Sequence, residues 1–204
     1  SRSEASSLMC AFAIRTTKVG AECGDVCGVH LQLLGAADEG DTARLFDVLD
    51  TPTQWAIETV HKSQREMRKL VLESYPPAER DRALARIPAA CEEDLERPRR
   101  YFRRLDDGAA ILADVKRRLY VGTGQPVGSV RKKEGIAEVW REGGSIFHFF
   151  RDPTGRWGYM ELRDGWERQK ERALHELDVV RENAALYRRR PAAAPDAGQK
   201  GSAG

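Results

Sequence analysis

The sequence predicts an α+β protein: an antiparallel helical region, then a three-stranded antiparallel β-meander and a long C-terminal amphipathic helix. Three observations carry this. From residue 41 to 120 apolar residues recur at helical spacing; from 135 to 163 aromatic residues crowd around two turns; from 164 onward an apolar residue returns every seven positions on a charged rod. The 204 residues suffice for one sizeable domain or two small ones. At 32% charged and 41% hydrophobic residues, modest cores and solvated helices are expected. A net charge of +2, from 34 basic and 32 acidic residues, excludes a strongly polybasic chain and leaves only local basic stretches. No apolar run approaches the roughly 20 residues of a membrane span.

Residues 1–30 mix Ser, Gly, Cys and Ala without periodicity and are read as a flexible segment. Ser1 in place of Met leaves any targeting signal unread. The helical domain is assigned to 31–122, the meander plus last helix to 123–190, and a low-complexity, disordered tail to 191–204. The irregular cysteines at 10, 23, 27 and 91 read as reduced thiols of an intracellular, reducing compartment, an organelle (mitochondrion or plastid) or the cytoplasm. Cys23, Cys27 and His30 are weak metal candidates, because no fourth ligand lies at a standard spacing. No cofactor is implied.

The first helix, "GDTARLFDVLD", has Asp41 or Thr42 as its N-cap. The next runs from Gln54 to about Ser74, with Ala56, Val60, Met67, Leu70 and Val71 on one face and Lys62, Arg65, Arg68 and Lys69 on the other. Pro76 and Pro77 end it, since proline lacks an amide proton and clashes with the preceding turn. A short helix broken at Pro88 follows, then a fourth from Arg99 to about Tyr120. Gly143-Gly144 and Asp152-Pro153-Thr154-Gly155 supply the two meander turns. The last helix opens at a capping-box-like "DGWE" and carries a stripe of Trp166, Ala173, Val180 and Tyr187 with Leu174, Leu177 and Ala184. That stripe is expected to pack across the meander, or to dock on a partner helix.

This order of elements resembles a J-domain, the family of co-chaperones that stimulate Hsp70 ATPases. "LFDVLD", "RKLVLESYPP" and "FRRLDDGAAILAD" followed by "KRRLY" carry the resemblance over residues 41–122. It implies that the second helix folds back antiparallel on the 99–120 helix. It also implies that a basic face meets an acidic Hsp70 surface. The family's His-Pro-Asp is replaced by Tyr75-Pro76-Pro77. In the family that aspartate pairs with an ATPase arginine, a strong charge-assisted contact. Pro77 has no carboxylate, so stimulation by the usual route is not expected. "LLGAADEGDTARLFDVLD" is also similar to an ankyrin helix pair, though no second copy follows. "VWREGGSIFHFFRDPTGRW" is loosely similar to a WW module without its closing proline.

No nucleophile–base set and no phosphate loop stands out among the residues, and a non-enzymatic protein-interaction module is the reading adopted. The implied partners are Hsp70 or an active J-protein, reached through Lys62, Arg65, Arg68, Lys69, Tyr75, Pro76 and Pro77. Alternatives are an accessory subunit among the neighbours of a large organellar complex, and an Hsp70 co-chaperone with an altered loop. "ERPRRYFRR" packs Arg97, Arg99, Arg100, Arg103 and Arg104 around two aromatics, suited to an acidic protein face or to nucleic acid.

Overall fold

The computed structural model describes residues 20–88, 98–120, 127–141 and 144–189. Six helices, α1 (Gly20–Glu39), α2 (Thr42–Val48), α3 (Thr51–Ser74), α4 (Pro77–Leu84), α5 (Pro98–Arg104) and α6 (Asp106–Tyr120), precede the sheet. Strands β1 (Val127–Lys133), β2 (Ile136–Arg141), β3 (Ile146–Arg151) and β4 (Trp157–Tyr159) follow, and α7 (Arg163–Arg189) comes after them. The chain is thus α+β, with helices first, an antiparallel sheet and a long helix after it.

Caps fix the helix starts. The Asp41 carboxylate accepts from the amides of Ala43 at 2.9 Å and Arg44 at 3.1 Å. Asp50 accepts from the amide of Thr53 at 3.3 Å, with Pro52 in the first turn of α3. Such caps satisfy amides that lack a partner within the helix. Pro76, extended at φ −62° and ψ 147°, then caps α4, and Pro77 opens it. α7 begins at Arg163, so Asp164 lies inside its first turn, and Glu167 pairs with Lys170.

The sheet has four strands in the order β1-β2-β3-β4, not three. β1 escaped the sequence reading because "VGSVRKK" is an edge strand with almost no buried position. Charged edges of this kind discourage pairing with another chain. Its hairpin turn, Glu134-Gly135, places both residues at positive φ, 50° and 80°. On one face Ala137 sits opposite Phe149, Val139 opposite Phe147, and Phe149 opposite Tyr159. All five are buried against the helices. The other face carries Ile136, Glu138, Trp140, Ile146, His148 and Phe150; Arg131 lies 5.1 Å from the Trp140 ring and Arg163 4.3 Å from Phe150.

Two expectations about the chain's organisation need correction. The sequence implies a flexible segment over 1–30; residues 1–19 lie outside the described residues, but α1 starts at Gly20 and contributes Val26, His30, Leu33 and Ala37 to the core. Those positions share one helical face, a stripe obscured by the glycines between them. The larger core joins α1, α2, α3, α5 and α6 to the sheet and to Trp166 and Ala173 of α7, so it draws on both sides of residue 122.

The second correction concerns α3. Its most extensive contact is with α7, and the two run parallel. Arg163 meets Asp50 where both helices begin, Arg181 meets Glu66 at 2.8 Å midway, and Arg188 donates to Ser74 at 2.9 Å near their ends. Thr53, Ala56, Val60, Ser63, Met67 and Leu70 are spaced alternately by three and four, as are Ala173, Leu177, Val180, Ala184 and Tyr187. Matched heptad faces pair over many turns. The predicted 99–120 helix offers no such length: it is broken at Leu105 into α5 and α6, and it meets α3 chiefly through α5. The α7 stripe therefore covers α3 rather than the meander, leaving Leu174 exposed.

A polar clasp holds the start of α3 to the β3–β4 turn. Arg156 donates to Asp47 O, Leu49 O, Thr51 Oγ1 and Gln54 Oε1 at 3.0–3.2 Å. Hydrogen bonds from Thr154 and Thr51, the latter at 2.7 Å, hold the Asp152 carboxyl well below the usual carboxylate range.

Candidate functional site

The predicted partner-binding residues fall into two environments. Lys62 and Lys69 are each 72% exposed, Arg65 is exposed and Arg68 half-buried. Lys62 pairs with Glu58 at 2.6 Å, and Lys69 lies 3.9 Å from Glu73, so the face is basic but locally balanced. Tyr75 does not join it. It is only 7% exposed, its ring lies 4.8 Å from Tyr187, and it belongs to a second core with Met67, Val71, Ile87, Leu177 and Ala184. Its carbonyl accepts from Arg80 at 3.1 Å. Pro76 is half-buried and Pro77 exposed. The structure therefore does not gather the three residues into one surface: a phenol at this corner is a core side chain.

The arginine cluster is likewise divided. Arg97 and the Arg104 side chain lie outside the described residues. Arg99, Arg100 and Arg103 line a cleft of about 630 Å³ facing residues 39–43. Arg99 is fixed by Asp47 at 2.7 Å and by the Ala43 carbonyl at 3.3 Å. Across the cleft Glu39 is held by Arg44 at 2.6 Å, and Asp41 is spent as the α2 cap. Arg100 and Arg103 are exposed. The interleaved rings face inward: Tyr101 stacks on His61 at 4.8 Å and donates to Gln64 at 2.9 Å, while Phe102 packs between Phe46 and Trp166.

The cysteine reading is corrected at one position. Cys27 is disulfide-bonded, so its sulfur is not a free thiolate ligand. His30 is buried between Phe147 and Phe149 with neither ring nitrogen bonded. The Cys23 side chain lies outside the described residues. Among the described residues no group of three His, Cys, Asp or Glu side chains is placed to hold a metal ion.

One cluster was missed. Arg118 of α6 grips both oxygens of Glu161 and donates to the Ile146 carbonyl at 2.6 Å. The same carboxylate accepts from the His148 amide at 3.2 Å and from the Tyr159 hydroxyl at 3.2 Å, and His148 Nδ1 lies 3.2 Å away. Burial pushes the Glu161 carboxyl up, but the Arg118 and His148 bonds outweigh it and leave it below its usual range. Burial, then the Glu161 charge, pushes the Tyr159 phenol up. With this many donors on one carboxylate, the group clasps α6 to the sheet. It borders two grooves of about 320 and 440 Å³ that share Ala110, Ile111, Glu161 and Leu162. The sequence does not signal this pairing, because Arg118 and Glu161 stand far apart along the chain and no string joins them. No known protein family, curated protein or solved structure matches the chain.

Proposed function

We propose that the chain is a non-enzymatic protein-interaction module that docks through the outer half of the α3–α7 pair, as a chaperone-associated or assembly partner. One observation supports this above the others. Lys62, Arg65 and Lys69 face solvent along α3, and the same helix pair leaves Leu72, Leu174, Val179 and Leu186 exposed. Long cationic side chains flanking scattered apolar ones suit an acidic protein surface with apolar contacts of its own. The chaperone-associated form of the reading rests on the "RKLVLESYPP" string. It predicts no ATPase stimulation, because Pro77 brings no carboxylate and Tyr75 is engaged with Tyr187.

The test is affinity capture of the full chain at native levels, beside a Lys62→Glu/Arg65→Glu/Lys69→Glu variant, with mass spectrometry. A single chaperone or J-protein lost by the variant supports the chaperone-associated form. A set of stoichiometric neighbours lost together supports an accessory subunit. Capture that survives charge reversal overturns docking through α3. In parallel, the wild-type chain is expected to leave Hsp70 ATP turnover unchanged. Stimulation that rises further with Pro77→Asp would instead mark a co-chaperone with an altered loop.

A further inference from the structure

We infer that the cleft between residues 39–43 and α5 is a separate binding site, taking one oxyanion of an acidic protein segment between Arg100 and Arg103. Three observations converge. The cleft is large enough, at about 630 Å³, for a side chain bearing a carboxylate or a phosphoryl group. Its remaining charges are already committed: Arg99 to Asp47, Glu39 to Arg44, and Asp41 to the α2 cap. Arg100 and Arg103 contribute two exposed guanidinium groups, three residues apart on α5, with no hydrogen bond or ion pair to them among the described residues. Residues so spaced are neighbours on a helix surface, and guanidinium forks match the paired oxygens of a carboxylate or phosphoryl group they would share.

The same geometry argues against nucleic acid. Strand binding needs exposed rings on which bases stack and a row of cations along the backbone. Tyr101 and Phe102, which suggested such a platform, are 1% and 0% exposed and are occupied by His61, Phe46 and Trp166. Glu39 and Asp41 on the facing wall would also repel an extended polyanion, while a single anionic group avoids them. The site lies on α5 and the α1–α2 junction, apart from the basic face of α3.

The experiment is fluorescence anisotropy with the full chain and three labelled probes at one salt concentration. These are a Glu/Asp-rich peptide, the same peptide carrying phosphoserine, and a single-stranded oligonucleotide of equal charge. At least one peptide is expected to bind about tenfold or more tightly than the oligonucleotide, and the better of the two identifies the oxyanion. Arg100→Gln/Arg103→Gln should weaken that peptide by about tenfold or more, the loss expected for charge-assisted bonds. Thr42→Glu, which sets a carboxylate on the opposite wall, should weaken it similarly by occupying the arginines. Arg82→Gln/Arg86→Gln, removing the same charge elsewhere, should leave binding unchanged. Since the Arg100 and Arg103 side chains are exposed and have no hydrogen bond or ion pair among the described residues, the unfolding midpoint should hold. The inference is overturned if neither peptide binds, if the oligonucleotide binds as tightly, or if the Arg82/Arg86 variant loses as much affinity as the Arg100/Arg103 one.

Discussion

His30 lies between Phe147 and Phe149 with both ring nitrogens unpartnered. Burial, aided by the Arg141 charge, lowers its pKa from the ordinary 6.5 to about 4. The unfolded chain therefore binds a proton on this ring below pH 6.5 while the folded chain refuses it until about pH 4. The stability that depends on neutral His30 is complete above 6.5 and drains away as the pH falls through that window, by an amount on the order of 3 kcal/mol. Denaturant titrations from pH 7 to pH 4 should show this slope, and His30→Leu should flatten most of it. A residual slope belongs to His61, whose pKa is lowered by burial and by Arg65. An unchanged slope in the variant would contradict the assignment. A second position is as demanding for a steric reason. A Cβ on Gly158 would stand 2.4 Å from Asp50 Cα and 2.7 Å from the Leu49 carbonyl oxygen, both backbone atoms. Gly158→Ala should therefore cost about 3 kcal/mol or more, seen as a lower unfolding midpoint.

The α3–α7 pair sets the hierarchy among the elements. Asp50 is fully buried, caps α3 and receives Arg163 through Nε at 2.7 Å and through Nη2. Asp50→Ala removes the cap and strands the guanidinium, an expected loss of about 3–5 kcal/mol in equilibrium unfolding. Leu177→Ala, in the shared seam, should cost about 2–5 kcal/mol. Lys62→Ala, on the solvent side, should change stability by less than about 0.5 kcal/mol. The contrast explains what could be read in advance. The Asp41 cap, the Pro76-Pro77 stop and the Asp152–Gly155 turn are decided by residues within a few positions of one another. All three were legible in the sequence. β1 was not, since its register comes from β2 and its own side chains are polar. Nor was the partner of α3. Two apolar stripes were visible, on α3 and α7, but which stripe meets which depends on lengths and breaks such as the one at Leu105. The candidate sites follow the same rule. The basic residues of α3 and α5 were visible as charge, whereas the burial of Tyr75 and Tyr101 depends on Tyr187 and His61, and the Arg118–Glu161 clasp on the folded sheet.

At the scale of the whole molecule there are two apolar cores of unequal size. The larger binds α1, α2, α5, α6 and the sheet to the first turns of α3 and α7. The smaller, of Met67, Val71, Tyr75, Ile87, Leu177 and Ala184, is supported, among the described residues, by the outer turns of the two long helices and the α4 segment. Local opening follows such differences in support. Hydrogen exchange should therefore find amides of residues 68–75 and 178–188 opening at lower free energy than those of 54–61 or 137–150. Uniform protection along α3 would argue for a single cooperative unit. Parallel pairing of α3 and α7 also bears on synthesis. Parallel neighbours cannot be joined by a short hairpin, so every residue from Tyr75 to Leu162 must be made before α7 exists to cover α3. The apolar seam of α3 leaves the ribosome early and stays bare while the strands are translated. The nascent chain thus presents a sticky amphipathic rod for most of its production, and its yield in a cell should depend on whatever shields that rod until α7 arrives.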